Sequence, residues 1–194
     1  MVLRVVGRLF IAAGVLILVF LGYQIWGTDL ITDREQEQLQ GDLDEFLSVR
    51  EPDPEFKPDL GDGIMRIEIP KIDLNWVVVE GVTVEALKKG PGHYPGTKLP
   101  GDGGNVVISG HRTTYGAPFS RVDEVIGGDY VRLTSREGIF EYRVVETKVV
   151  APTDLSVVVE RGEEVLTLTT CHPRFSARQR LIVVAHPVEE AEAA

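Results

Sequence analysis

From Met65 onward the chain is a succession of short β-branched runs cut by turn residues, and such a pattern leaves little room for anything but a β fold. "MRIEIPKI" alternates, with Ile67 and Ile69 on one face and Arg66 and Glu68 on the other. "NWVVVEG", "NVVISG", "DYVRLTS", "FEYRVVETKVV", "EVLTLTT" and "RLIVVA" follow, separated by the turn signals "GDGGN", "IGGD" and "SREG". Only "TVEALKKG" reads clearly as helix. At least seven strands at this spacing predict an all-β architecture, a closed barrel or a sandwich. The turns account for the 20 glycines and 11 prolines, and there is neither a Walker pattern nor a strand-anchored dinucleotide fingerprint.

Charge separates this part from its flanks. The whole chain of 194 residues carries a net charge of −10, which argues against binding a phosphate backbone, so no nucleic-acid partner is expected. Residues 64–188 balance at fifteen acids and fifteen bases, whereas Gly27–Gly63 holds twelve acids against three bases and the tail from Glu189 adds three more acids. The folded part is thus close to neutral.

Leu9 to Trp26, "LFIAAGVLILVFLGYQIW", carries no charge and only one amide, Gln24. As a helix these eighteen residues would span about 27 Å, close to the hydrocarbon thickness of a bilayer. Arg4 and Arg8 precede the segment while Asp29 and Asp33 follow it, which predicts a cytoplasmic N-terminus and everything after Gly27 outside; Tyr23 and Trp26 suit the outer interface. A cleaved signal peptide is the competing reading, but "YQIWGTDLITD" offers no small-residue cleavage site. Beyond it, Thr32 to Val49 has Leu39, Leu43 and Phe46 at helical spacing, and Pro52, Pro54 and Pro58 then forbid regular structure. The expected organisation is a cytoplasmic N-terminus (1–8), a transmembrane anchor (9–26), an acidic Pro-rich stalk (27–63), a folded β domain (64–188) and an acidic tail (189–194). The alternative for the stalk is that it packs on the domain through Phe46 and Phe56.

The single cysteine, Cys171, lies in "TLTTCHPRFSARQRLIV" and cannot form an internal disulfide. In "EVLTLTTC" Leu166 and Leu168 point one way and Thr167, Thr169 and Cys171 the other, so the thiol leaves a strand end on the face away from the leucines. It is either a small buried hydrophobe or a thiol kept for its reactivity. A reactive thiol needs a base or cation and a group to hold an oxyanion. His111 ends "NVVISG" in the same strand-to-loop setting; His172 alternates to the side opposite Cys171, His93 lies in the turn "PGHYPG", and His186 follows the last strand. Arg174, Arg178 and Arg180 offer a cation, and a hairpin closed by His172 to Gln179 would return Arg180 to Cys171.

"TLTTC" resembles the TLxTC motif of sortases, the membrane-anchored cysteine transpeptidases of Gram-positive bacteria. "RLIV" resembles their arginine-led final strand and "SGHRTTYGAPF" their histidine segment, and the similarity extends over Ile64 to Val188 and the anchor. "RTTYGAPF" after the histidine and "HPRFSARQR" after the cysteine look most like class E, the housekeeping type of high-GC organisms. The resemblance implies a closed eight-stranded β-barrel with short helices, preceded by one transmembrane helix. It implies Cys171 as nucleophile, His111 as acid and base, Arg180 as oxyanion holder and Thr170 as a substrate contact, with no cofactor and no metal.

The implied reaction is cleavage of an LAxTG- or LPxTG-like sorting signal on a secreted protein between Thr and Gly. The acyl group then passes to an amine of a peptidoglycan precursor at the cell membrane. The rivals are an L,D-transpeptidase-like enzyme, which would carry a glycine before its cysteine where "TTCHPR" has none, and a non-enzymatic adhesion domain. Zinc held by the adjacent Cys171 and His172 lacks the usual ligand spacing.

Overall fold

The computed structural model of the chain describes residues 2–23, 28–48, 58–159 and 162–188. Trp26, Pro52, Pro54, Phe56 and the acidic tail from Glu189 lie outside the described residues. An apolar helix, α1 (Val2–Gly22), is long and apolar enough to cross a membrane, and none of its residues is buried by the rest of the chain. It begins seven residues before the span read from charge alone, because an α-helix carries Arg4 and Arg8 without interruption.

Eight strands close into one barrel: β1 (Gly63–Ile69), β2 (Leu74–Glu80), β3 (Gly92–His93), β4 (Asn105–Ser109), β5 (Tyr130–Ser135), β6 (Gly138–Val150), β7 (Val165–His172) and β8 (Gln179–Pro187), in the order β1-β2-β3-β4-β7-β8-β6-β5. Closure removes free sheet edges. The pairs β2/β3 and β4/β7 are parallel and the rest antiparallel. Met65, Ile67 and Ile69 of β1 meet Leu166 and Leu168 of β7 and Leu181, Val183 and Ala185 of β8 in the interior. The run "LIVVA" is buried on both sides, since Ile182 and Val184 face outward under a second cluster with Val157 and Val165. One β-run escaped the sequence pattern: β3 has only two residues, too short to alternate.

"TVEALKKG" forms α3 (Val84–Lys89), started by the Thr83 hydroxyl accepting from the Ala86 N–H at 3.2 Å. The longer α2 (Thr28–Ser48) occupies the front of the segment expected to be a stalk, and it lies against the barrel wall instead of standing away from it. Leu39 and Leu43 bury against Val77, Val79 and Ala86, with Phe46 alongside. Its buried polar groups bond backbone that the barrel leaves open: Gln36 accepts from the Val77 N–H at 2.8 Å and donates to the carbonyls of Val77 and Lys89, and Thr32 donates to the Lys88 carbonyl at 2.9 Å. Each such group would be costly to bury unpaired. The packing alternative, weighed for Phe46, describes residues 28–48.

Candidate active site

The site follows from three neighbouring strands. β4 and β7 run parallel in register, ending with Ser109 opposite Thr169. The Gly110 N–H then donates to the Thr169 carbonyl at 3.1 Å, and the Thr170 hydroxyl donates to the Gly110 carbonyl at 2.7 Å. The two chains therefore stay in step beyond the ladder, and His111 and Cys171 each come two residues after a paired position. On the other side of β7, Arg180 of β8 is the antiparallel partner of Cys171. Strand order thus places histidine, cysteine and arginine abreast at one rim of the barrel, with the thiol in the middle.

Cys171 is a free thiol, half-buried. Arg180 donates from one terminal nitrogen to the carbonyls of Ala177 and Gln179, both at 3.1 Å, which holds the guanidinium near the β7–β8 connection and leaves further N–H donors. With Thr169, Ser109 and Tyr94 it lines a cavity walled by the apolar Leu155 and Val158. A second cavity opens beside the thiol, lined by Arg112, Thr113, Phe175, Ser176 and Ala177. Cys171 lines the second of these, and its strand partner Arg180 lines the first, which also holds Asp154.

His111 is half-buried, its backbone carbonyl accepts from the Phe119 N–H at 3.0 Å, and its ring lies 5.1 Å from that of Tyr115. Nε2 is buried and has no hydrogen-bond partner among the described residues, which leaves it available to a bound molecule. Burial pushes the imidazole below its ordinary value of 6.5, so the ring is mainly neutral at pH 7. The other histidines are occupied elsewhere. His93 is buried between Glu80 Oε2 at 2.8 Å and the Lys98 carbonyl and Thr97 hydroxyl. His172 Nδ1 meets Arg112 at 2.9 Å, which takes it out of the zinc reading, and His186 lies near the far end of β8 from Arg180, opposite Arg143 of β6 in the ladder. No three His, Cys, Asp or Glu side chains are grouped for a metal among the described residues.

Thr170, expected to touch substrate, is 2% exposed, and its hydroxyl is spent on Gly110. It joins the cysteine's strand to the histidine's. The residue that sequence reasoning missed is Arg112. It is 4% exposed, pairs with Asp123 Oδ2 at 3.0 Å, and donates to the Cys171 carbonyl at 3.3 Å. A charge directly after His111 in a segment otherwise free of charge was the available signal. Arg174, weighed as a cation for the thiol, instead donates to the Ser120 carbonyl at 2.6 Å.

A thiol whose two neighbouring chain segments carry a half-buried, neutral imidazole and a guanidinium offers the groups that acyl transfer needs: attack by sulfur, oxyanion capture and proton shuttling. Comparison with known proteins points the same way. Residues 67–188 match the model of the sortase domain family. Sortase D of Bacillus subtilis is 32% identical over 88% of this chain and 89% of its own length. Sortase SrtE1 of Streptomyces coelicolor is 31% identical over 96% of this chain and 57% of its own length. Among solved structures, a sortase D5 transpeptidase of Clostridium perfringens superposes with a TM-score of 0.67 at 28% identity over 84% of this chain and 99% of its own. Sortase E of Streptomyces avermitilis gives 0.60 at 38% identity over 68% and 91%.

Proposed function

The chain belongs to the sortase family of cysteine transpeptidases, and we propose that Cys171, His111 and Arg180 are its reacting groups, acting on an LAxTG- or LPxTG-like sorting signal between Thr and Gly. The β4–β7–β8 register supports this reading: Cys171 and Arg180 are partners on β7 and β8, and His111 follows two residues after the end of β4 on the other side of β7. His111 takes the thiol proton, the thiolate of Cys171 so formed attacks the threonine carbonyl carbon, and the carbonyl oxygen becomes an oxyanion. Arg180 donates to that oxygen, where its fixed charge is worth most because it acts as charge develops. Collapse breaks the C–N bond, and His111 gives its proton to the leaving glycine nitrogen, leaving a thioester on Cys171. An incoming amine then attacks the thioester, His111 takes the amine proton, and the sulfur leaves. The acyl energy is retained in the thioester throughout, so the transfer needs no nucleotide.

The cavity beside Arg180, walled in part by Leu155, Val157 and Val158, suits the Leu–Ala–x–Thr side of the signal, and the open mouth beside Phe175 suits the departing and arriving amines. Thr170 contributes through Gly110, by keeping the histidine's strand abreast of the cysteine's. The natural acceptor on this reading is an amine of a peptidoglycan precursor. α1 is the anchor, with Arg4 and Arg8 on the cytoplasmic side and the barrel outside. Its class is E, on the strength of the segments following His111 and Cys171 and the 38% identity to a sortase E.

The test uses the full chain in detergent micelles with Leu-Ala-x-Thr-Gly and Leu-Pro-x-Thr-Gly peptides and a panel of amines, read by mass spectrometry. Cleavage after threonine, faster for the Leu-Ala series, is expected. Preference for Leu-Pro would move the protein to another class, and no cleavage of either would remove the signal assignment.

A further inference from the structure

The loop that carries His111 is gripped from outside the barrel by the helix that follows the apolar segment. Asp29, in the first turn of α2, accepts the N–H of Gly116 through Oδ1 at 2.8 Å, across 87 positions of sequence. Gly116 has φ of +69°, and a Cβ there would run into the Trp76 ring and come within 3.4 Å of the Thr32 methyl. The backbone is therefore wedged between α2 and β2 where only glycine fits. The preceding residue, Tyr115, is itself left-handed at φ +54°, and its ring is the one that packs on the imidazole of His111. A non-glycine residue in that region persists only when its surroundings over-determine it. Contact thus runs unbroken from Asp29 through Gly116 and Tyr115 to His111.

The geometry points to Asp29 as a positioning residue for His111, which makes α2 a working wall of the active site as well as a covering for the barrel. This rests on the catalytic role given to His111 above. α2 can serve because it is firmly seated: Thr32 and Gln36 bond the backbone at Val77, Lys88 and Lys89, and Leu43 is 1% exposed. Asp29 stands only six positions after Tyr23, so the seating of the imidazole depends on a residue next to the membrane-crossing segment.

The experiment uses the full chain in detergent micelles, with a quenched Leu-Ala-Ala-Thr-Gly peptide for turnover and NMR titration of the His111 ring as a readout independent of substrate. Asp29→Ala is expected to lower kcat about tenfold with KM held, since small misplacements of a reacting group cost that much. It should also raise the titration midpoint of His111 as the ring gains water. Asp29→Asn keeps an acceptor oxygen and should stay within about twofold of the parent. Glu37→Ala, which removes an exposed charge from the same helix, should match the parent. Thr32→Val keeps the methyl at Gly116 and removes the hydroxyl bonded to Lys88, so it should lower Tm while lowering kcat less than Asp29→Ala does. An unchanged kcat and titration in Asp29→Ala would overturn the proposal, as would equal losses of kcat and Tm in Asp29→Ala, Asp29→Asn and Thr32→Val. His111→Gln separates the two levels: if it turns over like the parent, the role of His111 itself fails, whereas an inert His111→Gln beside an unaffected Asp29→Ala removes Asp29 alone.

Discussion

Cys171 and Arg180 are direct register partners across the β7–β8 ladder, so their side chains leave the sheet on the same face. The ladder sets the two backbones side by side, and the guanidinium is held by the carbonyls of Ala177 and Gln179. If Arg180 holds the oxyanion, Arg180→Ala should lower kcat roughly 10²–10³-fold with little change in KM. Arg180→Lys should recover only part of this, because a point charge lacks the guanidinium's fork. Steady-state kinetics on one peptide with the three proteins checks both.

The environment of His111 sets a pH dependence. Burial lowers its pKa in the folded state below the 6.5 of an ordinary imidazole, so the unfolded chain binds the extra proton first as pH falls. Stability contributed by the neutral ring is whole above pH 6.5 and is lost progressively as pH drops through the folded pKa. Urea unfolding between pH 7.5 and 5 should therefore show the parent losing more stability than His111→Gln over the same interval. Parallel curves would mean that the ring is not buried as described.

Arg112 ties together the histidine loop, the cysteine's carbonyl and Asp123. Arg112→Met keeps much of the volume and removes those bonds, which should cost on the order of 1–3 kcal/mol and slow turnover. The turnover loss should exceed that of Arg174→Met, whose hydrogen bond to Ser120 lies at the surface. Thermal unfolding and kcat measured on the same preparations would show it.

Docking of α2 has its own consequence. Leu43 is buried between the helix and β2, so Leu43→Ala should destabilise the folded barrel by about 2–5 kcal/mol. A freely standing stalk would leave unfolding of the barrel untouched by that change.

How legible all this was depended on the range of the interactions involved. Alternation in "MRIEIPKI" and the β-branched runs made the strands readable, and the spacing of Leu39, Leu43 and Phe46 made α2 readable as a helix. That Arg180 returns to Cys171 followed from the length of one hairpin, a local quantity. The parallel pairs β2/β3 and β4/β7 were not legible, because nothing near Ser109 in sequence says that Thr169 will lie beside it. Arg112 went unseen for the same reason, its partners Cys171 and His172 being some sixty positions away. The seat of α2 was hidden differently: Thr32 and Gln36 look like solvated polar residues, and only the open backbone groups at 77, 88 and 89 give them partners.

The chemistry assigned to the rim reduces to one covalent bond, so intact-mass measurement of the full-length protein mixed with a Leu-Ala-x-Thr-Gly peptide and no added amine is the decisive observation. A mass gain equal to the peptide through its threonine, placed on Cys171, lost on adding an amine and absent in Cys171→Ala, is the predicted result. Cleavage of the peptide at an unchanged rate in Cys171→Ala, or an adduct formed on another residue, would contradict it.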